Sequence, residues 1–311
     1  MKLTDDEKAV IALATRLGDP GRQSLSTGRW HALARSLRDE GLSPSDLFFG
    51  RLPSVSADDR KRIEELLADA ASVLMTASEL SHRGFWITTL ESEDYPSSLR
   101  ETLGTQAPPV LFGAGARELL AERGIGIVGS RQVGEEGASV AIGVAQEAVR
   151  LGYLVVSGAA RGVDQLAMNS AYRSGGGVIG VLADSLTQRV KTPEIRGALE
   201  GGRTLLITQQ NPEAPFSAAA AMARNKLVYA LSRLTVVVAA DLETGGTWAG
   251  ATEALKHSYG RVVVYRGPGE GRGNGDLERL GVQSFSGTDE LAAILEEGSA
   301  TSPVQLALDD S

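Results

Sequence analysis

The chain has 311 residues, 42% of them apolar and 23% charged, with no cysteine, three histidines and a formal net charge of −8. That length supports one large core and a smaller satellite domain. The missing cysteines exclude disulfides, thiol catalysis and thiolate metal sites, and His31, His82 and His257 are too scattered to give a metal-ligand spacing.

Residues 1–84 read as a small helical domain. Thr4-x-x-Glu7 ahead of an apolar run is a capping box, Ala9, Val10, Leu13 and Leu17 follow at helical spacing, and Gly18-Asp19-Pro20-Gly21 ends the helix. A second helix fits Gly28 to Asp39, a third starts near Ser45, and the longest fits Ala57 to Leu80 with Ile63, Leu66, Leu67, Ala70, Val73 and Leu74 on one face. Arg60-Lys61-Arg62 reads as a solvated helix start. No run approaches the roughly 18 apolar residues of a membrane span, and the first residues lack a basic segment followed by an apolar one, so a cytoplasmic location is expected.

From Phe85 the texture changes to short β-branched runs alternating with helices. Strands are predicted at Phe85–Leu90, Val110–Phe112, Ile125–Val128, Tyr153–Ser157, Val178–Ala183, Thr204–Thr208, Thr235–Ala239, Arg261–Tyr265 and Val282–Phe285. The main helices are predicted at Glu135–Leu151, Asp164–Arg173, Ser217–Leu231 and Gly250–His257. Strands apolar on both faces and alternating with helices imply an α/β fold, a mainly parallel, doubly wound, Rossmann-like sheet. It is expected over residues 85–297, with 298–311 as a polar tail. Ligands in such sheets sit at the carboxyl ends of the strands.

Two of those ends look like phosphate turns: Gly129-Ser130-Arg131, and Ser157-Gly158-x-Ala160-Arg161-Gly162-x-Asp164. Each follows an apolar strand and opens a helix, where unpaired N–H groups and a helix dipole attract an anion. Gly124-x-Gly126-x-x-Gly129 matches the dinucleotide fingerprint only formally, because its first two glycines fall before or inside the strand. The strand ending in Ser157-Gly158 also lacks the acidic residue that holds ribose hydroxyls. The charge is uneven. Residues 124–233 carry +3, whereas 234–311 carry −7. Local potential, not whole-chain charge, governs binding to nucleic acid.

The two turns, at this separation, resemble the DprA (Smf) family of DNA-processing proteins. Further pieces fall in the family's order: Asp94-Tyr95-Pro96-x-x-Leu99, Pro108-Pro109-Val110-Leu111-Phe112-Gly113, Arg224-Asn225-Lys226 with Leu231-Ser232, and Gly267-Pro268-Gly269. The likeness runs over about residues 86 to 296. It implies an extended Rossmann-like fold that binds single-stranded DNA, forms a homodimer and hands the strand to the recombinase RecA, with no metal, cofactor or catalytic residue.

Two departures stand out. Ala183 to Arg189 replaces the family's usual Gly-x-Asp-x-x-Tyr-Pro stretch, and Thr244-Gly245-Gly246-Thr247-Trp248-Ala249-Gly250 replaces its Ser-Gly-Ser. The second loosely resembles the phosphate loop of the LOG-type phosphoribohydrolases. With so few residues after Glu297, the small winged-helix-like domain that many family members carry at the C-terminus is not expected in this sequence.

The candidate DNA or phosphate contacts are Gly129, Ser130, Arg131, Ser157, Gly158, Arg161, Gly162, Lys191, Arg224, Asn225, Lys226, Gly245, Gly246 and Thr247. The five cations among them would form a basic funnel. Arg131 and Arg161 could instead pair with carboxylates such as Asp164 or Glu135. Asp164 could cap a helix or touch the ligand, and Trp248 could pack or stack on a base. Two further readings remain open: a nucleotide sensor, and a LOG-type hydrolase using Glu253 as acid or base.

Overall fold

A computed structural model describes residues 3–19, 21–243 and 245–297. Pro20, Thr244 and the expected tail 298–311 lie outside the described residues. The chain forms two compact units, residues 1–114 with 208–214, and residues 115–207 with 215–311. The change from helical to strand texture at Phe85 thus falls inside the first unit.

The first unit opens with α1 (Asp5–Ala14), α2 (Thr27–Asp39), α3 (Ala57–Ala68) and α4 (Ala70–His82). The capping box at α1 is formed: the Glu7 amide donates to Thr4 Oγ1 at 3.2 Å, and the Thr4 amide donates to the Glu7 carboxylate at 2.7 Å. The single helix expected from Ala57 to Leu80 breaks at Asp69, which ends α3 and starts α4 with φ −92° and ψ 1°. An unbroken apolar stripe does not reveal such a break. The helix expected near Ser45 is a short 3-10 turn, Pro44–Phe49. The unit continues with β1 (Trp86–Thr89), α5 (Ser97–Leu103) and β2 (Val110–Gly115), the two strands antiparallel. His31 is structural, its ring 2.9 Å from the Ala107 carbonyl oxygen.

The second unit alternates strand and helix: β3 (Gly124–Gly129), α6 (Glu135–Arg150), β4 (Val155–Ser157), α7 (Val163–Arg173), β5 (Val178–Val181), α8 (Leu186–Arg189), α9 (Pro193–Glu200) and β6 (Thr204–Thr208). It continues with α10 (Ala218–Ala230), β7 (Ser232–Ala239), α11 (Gly245–His257), β8 (Arg261–Tyr265), α12 (Asn274–Arg279), β9 (Gln283–Phe285) and α13 (Leu291–Glu297). The strand order is β6-β5-β4-β3-β7-β8-β9, every pairing parallel. Burial on both faces explains why these strands read as continuous apolar runs; β3 is buried at all six positions. Helix α11 begins at Gly245, five residues before the expected Gly250, so Gly245-Gly246-Thr247 is its first turn rather than a loop.

Successive connections from β3 run to β4 on one side, whereas β7 lies on the other, so the crevice beyond β3 is the sheet's switch point. The early glycines serve packing there. A Cβ on Gly126 would fall 2.6 Å from both Ser232 Oγ and Thr235 Oγ1, so this glycine lets β3 and β7 approach and has no part in a dinucleotide turn.

Asn274, fully buried at the start of α12, ties down the backbone on this side of the crevice. Its Nδ2 donates to the Val238 and Tyr265 carbonyls at 2.8 Å each, and its Oδ1 accepts from the Ala240 amide at 2.8 Å. Asn274→Ala strands three buried backbone groups, and the expected loss is about 2–5 kcal/mol, read as a lower urea midpoint at unchanged slope. A loss below about 0.5 kcal/mol, typical of a surface change, would contradict this role.

Candidate nucleic-acid interface

A cavity of about 530 Å³ opens at the switch point of the second unit. The turn after β3 lines it with Gly129, Ser130, Arg131 and Gln132, α10 with Ala218, Ala221, Met222, Arg224 and Asn225, and the start of α11 with Gly245, Gly246 and Thr247. A pocket of this size holds a small ligand.

On its lining stands a buried carboxylate that already has partners. Asp164, at the start of α7, is 5% exposed, accepts from the Ala160 amide and faces the backbone amides of Gly129 and Gly158. The Ala160 amide lies 3.4 Å from Oδ2, and Arg224 Nη1, itself 6% exposed, lies 3.7 Å away. Burial pushes the Asp164 carboxyl up, against the pull of Arg224 and the three amides. Burial likewise pulls the Arg224 guanidinium down.

Turn amides expected to await an external phosphate, that of Ala160 above all, are therefore directed at an internal anion. The Ser130 amide donates to the Ala239 carbonyl at 2.8 Å, and Ser130 Oγ bonds within its own turn, accepting from the Gln132 amide at 3.2 Å. Gly162, at φ +76°, packs on the backbone of Ser130 and Arg131, so the two turns lie against each other.

Of the candidates named from the sequence, Gly129, Ser130, Arg131, Arg224, Asn225, Gly245, Gly246 and Thr247 line the cavity. The others do not. Ser157 is fully buried, with its hydroxyl donating to the Ile127 carbonyl at 2.7 Å. Gly158 lies against the Arg224 guanidinium, where any side chain would overlap it. Arg161 and Lys191 are exposed on the surface, outside the lining. Lys226 is half-buried with Glu253 as its electrostatic neighbour, and desolvation pulls its ammonium down. Glu253 is not part of the lining either. The five expected cations thus do not form one funnel: Arg224 is locked in a buried pair, and only Arg131 both lines the cavity and lacks an ion pair among the described residues. Asn225 is a brace, its Nδ2 donating to the Gly246 carbonyl at 3.0 Å and so joining α10 to α11. Trp248 packs against Gly273, where a Cβ would stand 3.0 Å from the indole.

Sequence reading missed Phe216. Its ring, 50% exposed, lines the cavity with the Arg131 guanidinium 5.2 Å from its centroid, and Met222, 38% exposed, lies on the same lining. The signal was available: an aromatic between Pro215 and the α10 N-cap Ser217, at a strand-end loop, has no amphipathic face to bury. Asp241 and Tyr229, also on the lining, carried no motif.

The family model for DNA recombination-mediator protein A matches residues 86–292. The DNA processing protein DprA of Bacillus subtilis is 28% identical over 206 residues, 66% of this chain and 67% of its own length. The Synechocystis protein Smf is 29% identical over 163 residues, 50% of this chain and 40% of its own. The solved structure of Streptococcus pneumoniae DNA processing protein A superposes with a TM-score of 0.69 at 21% identity, covering 94% of this chain and 98% of that one. The Helicobacter pylori DNA processing protein A, solved for its unique single-stranded DNA binding mode, gives a TM-score of 0.57 at 24% identity, covering 68% of this chain and 97% of that one.

The buried pair makes a direct prediction. Asp164→Ala leaves Arg224 unpaired and the Ala160 amide unsatisfied, and should cost about 3–5 kcal/mol in denaturant unfolding. A variant as stable as the parent would show that Asp164 does not hold the turns.

Proposed function

The chain belongs to the DNA recombination-mediator protein A family, and on that premise we propose that it binds single-stranded DNA in the cavity at the carboxyl end of β3. The observation that carries this reading is the Arg131–Phe216 pair: a cation without a carboxylate partner, stacked on an exposed aromatic ring, both on one cavity lining. Together they offer what a single strand presents, a phosphate for the guanidinium and a base face for the ring. Ala218, Ala221 and Met222 give the base an apolar wall. Arg161 and Lys191, exposed and free of ion pairs among the described residues, would meet phosphates on the surface, beyond the cavity.

The proposed role is non-catalytic. The acid that the hydrolase reading requires, Glu253, does not line the cavity, and the carboxylate beneath the turns, Asp164, is held by Arg224 and the Ala160 amide. From family membership we carry over, as proposals of the same rank, a homodimer and delivery of the strand to RecA. The single-stranded DNA binding mode of the Helicobacter pylori DNA processing protein A supports the ligand class.

Titration with single-stranded DNA at two salt concentrations tests the reading. Arg131→Ala should weaken binding by about 1.5–3 kcal/mol and flatten the dependence of log K on log salt. Phe216→Ala should cost about 1–3 kcal/mol and leave the salt slope unchanged, because stacking releases no counterions. Unaltered affinity in both folded variants would sink the assignment. Glu253→Gln should stay within about 0.5 kcal/mol of the parent in DNA affinity. Release of free base from a nucleoside monophosphate, lost in this variant, would establish the hydrolase reading instead.

A further inference from the structure

The cavity lining carries both signs of charge. Arg131 follows Ser130, whose amide bonds to the carbonyl of Ala239, and Asp241 stands two residues beyond Ala239. The cation and the carboxylate therefore leave neighbouring strand ends, which in a sheet lie about 5 Å apart. Asp241 is exposed, lines the cavity and makes no hydrogen bond or ion pair among the described residues. A Cβ on Gly245 would lie 3.7 Å from its Oδ2, so this carboxylate already faces the positive end of α11. Glu243, two residues further along, is also exposed. Arg272 sits on a turn whose glycines pack against the Ala240 and Asp241 backbone, but it does not line the cavity. Deeper in, Tyr229 is 2% exposed yet lines the cavity, and its hydroxyl has no hydrogen-bond partner among the described residues. A buried phenol left unpaired beside a cavity is a donor that a ligand would complete.

A nucleotide inside a strand has a phosphodiester on both sides of its sugar. One of the two would then have to run past Asp241, with like charges in contact. A 3′-terminal nucleotide has one phosphate and one hydroxyl, and a hydroxyl donates to a carboxylate. We propose that the cavity seats the 3′-terminal nucleotide of a single strand, its phosphate on Arg131 and its 3′-hydroxyl donating to Asp241. This rests on the DNA-binding reading above and adds an end preference to it. The rest of the strand leaves by the Arg131 side. A free nucleoside 5′-monophosphate carries the same pair of groups but lacks the contacts of the following phosphates, so it is the weaker ligand.

The test uses thymidine pentamers labelled at the 5′ end, because thymine has no exocyclic amine that could donate to Asp241 in place of the sugar. Anisotropy titrations compare a 3′-hydroxyl with a 3′-phosphate terminus. The intact chain should bind the hydroxyl form about tenfold more tightly, the scale of one hydrogen bond to a charged group. Asp241→Asn should bring the two within about twofold, mainly by tightening the phosphate form. Thymidine 5′-monophosphate should displace the pentamer only at higher concentration. Equal affinities in the intact chain, a ratio that persists in Asp241→Asn, or a mononucleotide that competes as well as the pentamer would each overturn the end preference. Equal affinities that still fall with Arg131→Ala would overturn it alone. Affinities indifferent to Arg131→Ala would overturn the DNA-binding reading as well.

Discussion

The carboxylate of Asp164 is the fixed point of the second unit. It draws amides from the turn after β3 and the turn after β4 onto one buried anion, and brings Arg224 across from α10 to balance the charge. Three elements that are distant in sequence are thereby joined at one site. Several residue choices follow from it. Gly158 must be glycine because the Arg224 guanidinium occupies the space of its side chain, and Gly162 must be glycine because it takes φ +76° against the backbone of the first turn. A buried ion pair of this kind contributes little net stability over an apolar replacement, yet losing one partner is expensive. Its value here lies in fixing the geometry of the turns that carry Arg131.

The same arrangement decides where charge remains for a ligand. A protein carboxylate already stands at the starts of both α7 and α11, so the helix dipoles are partly neutralised from within. Arg224 is committed to Asp164 and Lys226 faces Glu253. What is left in the cavity is Arg131, resting on the ring of Phe216. On the proposed reading, affinity for a strand would arise from one well-placed guanidinium, an aromatic face and scattered surface cations, rather than from a continuous basic groove. Binding of this kind, proposed above, is compatible with a net charge of −8 because local potential decides it.

The sheet was legible in the sequence because buried parallel strands write themselves as β-branched runs; Thr204–Thr208 and Arg261–Tyr265 fall where those runs begin and end. The first unit was less legible. The stripe from Ile63 to Leu74 continues smoothly past Asp69, and nothing in apolar spacing marks the change from α3 to α4. At the site, the turns were visible as glycine, serine and arginine after apolar strands. Their occupant was not, since composition cannot tell an amide that awaits a phosphate from one that holds Asp164. Arg224 and Arg131 look alike as letters, and only burial separates a structural cation from an available one. Phe216 and Asp241 matched no motif, and became visible once α10 and β7 were brought to the same crevice.

Hydrogen exchange of the intact chain with and without a long single strand tests the central claim most directly, because it reads every segment at once. Bound DNA should slow exchange in peptides covering Ser130–Gln132, Phe216–Asn225 and Asp241–Thr247, with little change around Ser157, whose hydroxyl and strand are already buried in the sheet. Protection confined to the helices of the first unit, with the cavity segments exchanging as in the free protein, would contradict the account.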